Sequence, residues 1–252
     1  MPDLIEPEHL NNSITGAFFA PANRDHKVEG SLYEGINIGL STRDTPDQLC
    51  RSAEYLLAYR DLEASKLALG RQVHGSSVAF AVKPGIYDNS DGLVANSTDV
   101  VLGIQVADCA ALLIADPVNR VIGAFHAGWR GAAAGVVREG IKKMNGAGGD
   151  PQHMRAYISP CISLENFEVG EEVARQFPNE FCDYVSWDKP HIDLKGFLFS
   201  ELLEAGVSES NIHTSEYCTM EDTRFYSYRR EKKKAGRMLA CIYLKSGFNE
   251  TV

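Results

Sequence analysis

The stretch DVVLGIQVADCAALLIADPVNRVIGAFHAGWRG (residues 99–131) contains three apolar runs in quick succession. The runs at 99–107, 110–116 and 120–125 are short and apolar, which predicts three buried strands. The break at 116–119, Asp-Pro-Val-Asn, has the composition of a hairpin turn. Strands that follow one another directly favour an α+β protein with mixed or antiparallel sheets, because a doubly wound parallel sheet has helices more regularly between its strands.

Helices and further strands flank these runs. Thr45 followed by Pro46 predicts the N-cap and first turn of a helix that contains Leu56 and Leu57 on its apolar face. Further helices are predicted at 130–144, 169–177 and 193–206, and further strands at 72–82, 155–159 and 238–244. No internal repeat or long linker marks a boundary, so residues 1–252 are predicted to form a single catalytic domain.

The composition limits the classes of partner. The net charge is -9, from 25 Lys+Arg and 34 Asp+Glu, which argues against nucleic acid as a partner, since its binding needs a basic surface. No stretch approaches the roughly 18 apolar residues of a membrane span. The N-terminus is acidic and lacks the apolar run of a secretory signal. Together with 6 Cys that show no paired spacing, this predicts a cytoplasmic protein with reduced thiols.

Three residues that can ligate a metal lie at ends of predicted strands. His74 lies in RQVHG, Cys109 follows the first apolar run, and His126 follows the third. Strand ends can present side chains to a cleft, and two imidazoles with a thiolate form a ligand set of catalytic zinc sites. The same residues could instead form a Cys–His nucleophile pair. Each residue alone is more typical of structure than of function, so their joint occurrence beside Gly and Arg carries the hypothesis.

Arg130 lies where the helix after His126 is predicted to begin. A helix N-terminus with an adjacent Arg is a natural phosphate site, and a structural salt bridge is the alternative. Arg229 and Arg230 are further phosphate candidates, with an ion-paired or solvated face as their alternative. Trp129 is predicted to pack in the core or against the turn, although an indole can also stack on a heterocycle.

Six motifs in the chain resemble those of a known bacterial family, in the same order. They are RQVHG (71–75), VADC (106–109), FHAGWRG (125–131), FEVGEEV (167–173), YCT (217–219) and FYSYRREKKKAGRM (225–238). The family was long labelled multicopper polyphenol oxidases, or laccases, and is now described as purine nucleoside phosphorylases and peptidoglycan editing factors. The resemblance extends from about Gly35 to Leu244, and the family's N-terminal pattern is only partly present around Arg24.

The resemblance implies an activity and a site. It makes His74, Cys109 and His126 the metal ligands, normally of zinc, and with Arg130 it gives the predicted catalytic set Cys109, His126 and Arg130. It implies phosphorolysis of adenosine, inosine and methylthioadenosine to free base and ribose 1-phosphate, together with adenosine deamination, so that purine nucleosides and phosphate are the partners. It also implies an α+β fold of mixed sheets flanked by helices, distantly like the Cys–His domain of a bacterial toxin.

Deamination also needs a general acid, which the sequence does not single out. The HxE…PCxxC signature of the better-known zinc deaminases is absent. Asp108 and Asp91 are candidates, and either could instead be a turn-forming residue.

Three other functions use the same residues. A copper phenol oxidase could hold one copper on one Cys and two His, although the chain has only 7 His and no His-x-His motif. A metal-free Cys–His hydrolase that edits peptidoglycan precursors would use Cys109 as nucleophile and His126 or His74 as base. A binding protein without turnover is the remaining alternative.

Overall fold

Two β-sheets stacked on each other form the centre of the molecule in the computed structural model, which describes residues 1–246. The strands are β1 (Thr15–Ala20), β2 (Leu67–Arg71), β3 (Val78–Phe80), β4 (Gly85–Asp88), β5 (Gly92–Ala95), β6 (Val101–Val106), β7 (Ala110–Asp116), β8 (Val121–Ala127), β9 (Arg155–Ile158), β10 (Cys182–Asp183), β11 (His191–Ile192), β12 (Ile212–Thr214) and β13 (Met238–Leu244). The helices are α1 (Pro46–Ala58), α2 (Trp129–Ala133), α3 (Val136–Gly146), α4 (Glu171–Ala174), α5 (Leu194–Glu204) and α6 (Tyr228–Glu231).

Both large sheets are mixed. The five-stranded sheet has the order β1-β13-β6-β2-β4, with antiparallel pairs at the β1 end and parallel pairs at the β4 end. The six-stranded sheet has the order β12-β9-β7-β8-β5-β3, with parallel pairs only at its two edges. Strands β10 and β11 form a separate small hairpin. The predicted α+β class of mixed sheets with flanking helices is therefore confirmed, and the distant likeness to a toxin domain stays a prediction.

The main core lies between the two sheets. The five-stranded sheet contributes Phe19, Leu102 and Ile242, and the six-stranded sheet contributes Leu113 and Ala124, all essentially inaccessible to solvent. Because both faces of each central strand are buried, β6, β7 and β8 read as continuous apolar runs rather than alternating ones.

Helices cover the two outer faces. Helices α3 and α5 pack on the six-stranded sheet, where Ile141 and Leu198 join the same cluster as Ile114. Helix α1 packs on the five-stranded sheet through Leu56 and Leu57. Its start is fixed as predicted, since the Thr45 side chain accepts a hydrogen bond from the Gln48 N–H and the Gln48 side chain accepts one from the Thr45 N–H. Within residues 1–246 no helix combines the length and apolar character needed to cross a membrane.

Several sequence predictions placed elements correctly and three did not. The three central strands, their hairpin turn, β9, β13, α1 and α5 lie where they were predicted. The predicted strand 72–82 is wrong, because β2 ends at Arg71 and β3 begins at Val78. The predicted helix 169–177 shrinks to the four residues of α4. The predicted helix 130–144 is interrupted between α2 and α3. Gly135, which precedes α3, has a φ of 82° that is incompatible with a continuous helix.

Candidate active site

His74, Cys109 and His126 converge at one point between the two sheets. Their ligating atoms all lie within 4.8 Å of one another, and no other such group occurs among residues 1–246. His74 lies in the turn after β2, Cys109 in the connection from β6 to β7, and His126 on β8. His126 is buried, Cys109 is half-buried and His74 is exposed, so the cluster is open to solvent on one side. Two imidazoles and a thiolate with an open side can bind a metal and leave a position free for water or substrate.

Asp91 holds two of these three residues in place. Its carboxylate is fully buried and accepts hydrogen bonds from the backbone N–H groups of Val73, His74 and Gly75 at 2.8–3.0 Å. It also accepts one from Nδ1 of His126 at 2.8 Å. Because Nδ1–H is used in this way, Nε2 of His126 is the atom left for Cys109 or a metal. These bonds also hold His74 at a φ of 62°, which is unusual for a residue other than glycine.

Two glycines let the backbone approach this cluster closely. A Cβ at Gly128 would lie 2.7 Å from Sγ of Cys109 and 3.3 Å from the His74 ring. A Cβ at Gly131 would lie 2.7 Å from the carbonyl oxygen of Gly75. The small residues of FHAGWRG therefore bring α2 against the His74 turn and leave space for the thiol.

The electrostatics of the cluster favour a thiolate and an imidazolium when no metal is bound. Burial alone would raise the pKa of Cys109, but His126 and His74 attract and hydrogen-bond the thiolate and lower that pKa to about 6. Burial alone would lower the pKa of His126, but Cys109 and Asp91 together raise it to about 9. A thiol with a lowered pKa suits both metal ligation and nucleophilic chemistry.

A cavity of about 720 Å³ opens above the three residues. Its volume is in the range of small-molecule sites. Aromatic and apolar side chains form much of its lining, including Leu40, Trp129, Ile162, Phe167 and Tyr228. Four basic side chains also line it, namely Arg71, Arg229, Lys232 and Arg237.

The basic residues singled out in the sequence occupy three different environments. Arg130 is exposed, does not line the cavity, and stacks its guanidinium 4.1 Å from the Trp129 ring. The helix in which it lies, α2, begins at Trp129 and has five residues. Arg229 lines the cavity, whereas Arg230 donates to the carbonyl oxygens of Thr219 and Met220 and pairs with Glu231. Only Arg229 of the three thus faces the cavity.

The two Asp candidates are both occupied by structural hydrogen bonds. Asp108 lines the cavity at a φ of 80°, and its carboxylate accepts bonds from Oγ1 of Thr219 and the backbone N–H of Arg229. Asp91 is bonded as described above. Both carboxylates thus have structural roles, and of the two only Asp108 lines the cavity.

Sequence reasoning missed Arg71, Lys232 and Arg237 as cavity residues. All three lie inside motifs of the family resemblance, Arg71 in RQVHG and the other two in FYSYRREKKKAGRM, so membership of these motifs was the available signal. Nothing in the sequence distinguishes a cavity-lining Arg229 from a structural Arg230, because the two are adjacent.

Comparison with known proteins places this geometry in a family. A family model described as multi-copper polyphenol oxidoreductase laccase matches residues 19–245. The chain belongs to this family. Among its relatives, a protein of Deinococcus radiodurans named purine nucleoside phosphorylase is 36% identical over 222 residues, which are 86% of this chain and 85% of the relative. Another relative, named adenosine deaminase RL5, comes from an unknown prokaryotic organism. It is 27% identical over an alignment that covers 96% of this chain and 100% of the relative.

A solved structure shows the same fold. The crystal structure of Bacillus licheniformis hypothetical protein YfiH matches with a TM-score of 0.89 at 23% identity and covers 97% of both chains. The relatives are named as enzymes, and family membership supports an enzyme here as well. The resemblance found in the six sequence motifs is thus confirmed at the level of the family.

Proposed function

We propose that this protein is a zinc-dependent purine nucleoside enzyme. It would convert adenosine, inosine and methylthioadenosine to the free base and ribose 1-phosphate by phosphorolysis, and would also deaminate adenosine. The observation that carries the proposal is the convergence of His74, Cys109 and His126 within 4.8 Å at the base of the cavity. The names of the relatives, a purine nucleoside phosphorylase and an adenosine deaminase, supply the substrate class.

The donor set fits zinc. His74, Cys109 and His126 would hold the ion, and Asp91 would orient His126 as carboxylates do in zinc enzymes. A zinc ion bound there would act as a Lewis acid that activates water for attack on the purine ring.

The remaining residues bind and orient the substrate. The apolar and aromatic lining, with Phe167 and Trp129, suits a purine base, and the basic side chains suit phosphate. In phosphorolysis a phosphate oxygen forms a bond to the anomeric carbon of ribose while the bond from that carbon to the base breaks. The base leaves with the electron pair and takes up a proton. Holding both reactants in one cavity lowers the entropic cost of this encounter.

Zinc-loaded protein should release hypoxanthine from inosine only when phosphate is present, and should convert adenosine to inosine without it. Chromatography of the products measures both reactions. Cys109→Ser should abolish them, and Cys50→Ser, which changes an exposed thiol on α1, should not. If zinc-loaded protein releases no hypoxanthine and deaminates no adenosine, the proposal is wrong.

A second candidate is a Cys–His hydrolase that edits peptidoglycan precursors. The specific observation in its favour is the chain of contacts from Cys109 through His126 to Asp91, which is the arrangement of a nucleophile, its base and an orienting carboxylate. In this case an electrophile should form an adduct on Cys109 in chelator-treated protein, and turnover of the precursor should survive chelation. Loss of turnover on chelation favours the zinc enzyme.

Copper is the alternative metal. The single His-Cys-His group could bind one copper ion, in keeping with the description of the family. Metal analysis of protein purified without added metal separates the two, since stoichiometric copper with a visible absorption band would favour a phenol oxidase. We also propose that residues 1–252 act as one catalytic domain in the cytoplasm, in keeping with six free cysteines.

A further inference from the structure

One wall of the cavity carries basic side chains that have no carboxylate partner. Arg229, Lys232 and Arg237, here called the cationic wall, all line the cavity and all come from the segment 227–237. Among residues 1–246 no carboxylate lies within salt-bridge distance of any of the three. The chain as a whole carries a net charge of -9, so a cluster of unneutralised cations facing a cavity is not a consequence of composition.

Backbone carbonyls hold the two guanidiniums of the cationic wall in place. Arg229 donates from Nη2 to the carbonyl oxygen of Glu168 at 2.9 Å. Arg237 donates from Nη1 to the carbonyl oxygens of Ala235 and Gly236, both at 2.9 Å. Each guanidinium keeps further N–H groups that these bonds do not use, and a fixed fork of donors is the geometry that binds an oxyanion in bidentate fashion.

An ion-pair network behind the segment supports this wall. Glu231 pairs with Arg24 at 2.7 Å and with Arg230 at 2.6 Å. Arg230 is further bonded to the carbonyl oxygens of Thr219, Met220 and Phe225. Within the segment, Arg230 is thus paired with a carboxylate and packs against the protein, whereas the three residues of the cationic wall line the cavity. The two remaining lysines, Lys233 and Lys234, are exposed.

The cavity lining contains one acidic residue, Asp108, against four basic side chains. Asp108 lines the cavity, but its two carboxylate oxygens accept bonds from Thr219 and from the backbone N–H of Arg229. The bond from the Arg229 N–H fixes the backbone of the cationic wall at this point.

We propose that Arg229 and Arg237 bind the phosphate of the reaction, with Lys232 adding charge, and that Arg24, Glu231 and Arg230 position them. This assignment rests on the proposed function for the identity of the anion as inorganic phosphate. Of the three phosphate candidates named from the sequence, Arg130, Arg229 and Arg230, only Arg229 lines the cavity. The assignment therefore keeps Arg229, drops the other two and adds Arg237.

The test compares four variants of the zinc-loaded protein. Arg229→Gln and Arg237→Gln should each raise the KM for phosphate by about tenfold or more, because each removes a charged pair of donors. The KM for inosine should change much less. Arg175→Gln, which alters an exposed guanidinium next to α4, is the matched control and should leave both constants unchanged. If Arg130→Gln raises the KM for phosphate and the two wall variants do not, the assignment is wrong.

Calorimetric titration with inorganic phosphate alone separates this proposal from the proposed function. Phosphate binding that weakens in Arg229→Gln and Arg237→Gln, in a protein without turnover of any nucleoside, would support the anion site and refute the nucleoside activity. Phosphorolysis with an unchanged KM for phosphate in both variants would support the nucleoside activity and refute the anion site. Thermal unfolding of each variant excludes loss of the fold as the cause.

Discussion

At the scale of single residues, Asp91 is the side chain on which the candidate site depends most. It fixes the His74 turn through three backbone N–H groups and fixes His126 through Nδ1. Asp91→Asn should lower zinc affinity about 10–100-fold, as loss of orienting partners of metal ligands typically does. Competition with a chromogenic chelator measures this affinity.

The chain offers a closely matched control for Asp91. Asp116 is equally buried and also accepts hydrogen bonds from three backbone N–H groups, those of Val118, Asn119 and Asp150, but it is the last residue of β7, next to the hairpin turn. Asp116→Asn should destabilise the fold by about 1–3 kcal/mol without changing zinc affinity. Equal loss of zinc affinity in both variants would show that Asp91 acts only on stability.

Gly128 gives a second prediction at this scale. A methyl group there would lie 2.7 Å from Sγ of Cys109, so Gly128→Ala should displace the thiolate and weaken metal binding while the fold is kept. Gly146→Ala is the control, because a Cβ at Gly146 meets no atom within 4 Å. Metal content after dialysis and thermal unfolding are the measurements. Native metal content in Gly128→Ala would contradict the geometry described here.

At the scale of elements, the short N-terminal 3-10 turn (Glu8–Leu10) contains a histidine that is neutral in the fold. The His9 ring stacks on His213 at 3.7 Å, bonds to the carbonyl oxygen of Ala156 at 3.0 Å, and lies near Arg155. Burial, with the nearby charges of His213 and Arg155, lowers the pKa of His9 from 6.5 to about 4. The folded state therefore binds fewer protons than the unfolded state between these values. The contribution of the neutral His9 to the free energy of unfolding should be fully present above about pH 6.5, and it should be lost as the pH drops toward 4.

His9→Gln tests this pH dependence. The variant should lose less thermal stability than the native protein between about pH 7 and pH 5, since it has no proton to take up on unfolding at this position. His153→Gln, at an exposed histidine, should keep the native dependence. Identical pH profiles for the native protein and His9→Gln would refute the prediction.

The elements also show what local sequence can and cannot specify. Strands β6, β7 and β8 were predictable because burial on both faces makes them continuous apolar runs. The turn after Arg71 was not predictable from local sequence. The backbone N–H groups of Val73 to Gly75 donate to the side chain of Asp91 instead of to a neighbouring strand, and Asp91 lies in a different part of the sequence. The break at Gly135 was not predictable either, because the sequence on both sides of it has a helical pattern. A partner distant in sequence thus decided the first case, and the positive φ of Gly135 marks the second.

At the scale of the whole molecule, the candidate metal site connects the two sheets. His74 follows β2 of the five-stranded sheet, His126 belongs to β8 of the six-stranded sheet, and Cys109 lies where the chain passes from one sheet to the other. The sequence predicted the three residues from strand ends. Their meeting depends on the stacking of the sheets, which no local pattern contains.

Because the ligands come from both sheets, metal binding should stabilise the whole fold rather than one loop. A ligand at 100 times its Kd adds about 2.7 kcal/mol to the free energy of unfolding. For a chain of this size that corresponds to a rise in Tm of about 5–10 °C. Removing zinc with a chelator should lower the Tm by this amount in one cooperative transition, and adding zinc back should restore it. Cys109→Ser should show a much smaller response, and Cys50→Ser the full native response. An equal response in Cys109→Ser would mean that zinc binds and stabilises the protein at a site other than the one that contains Cys109.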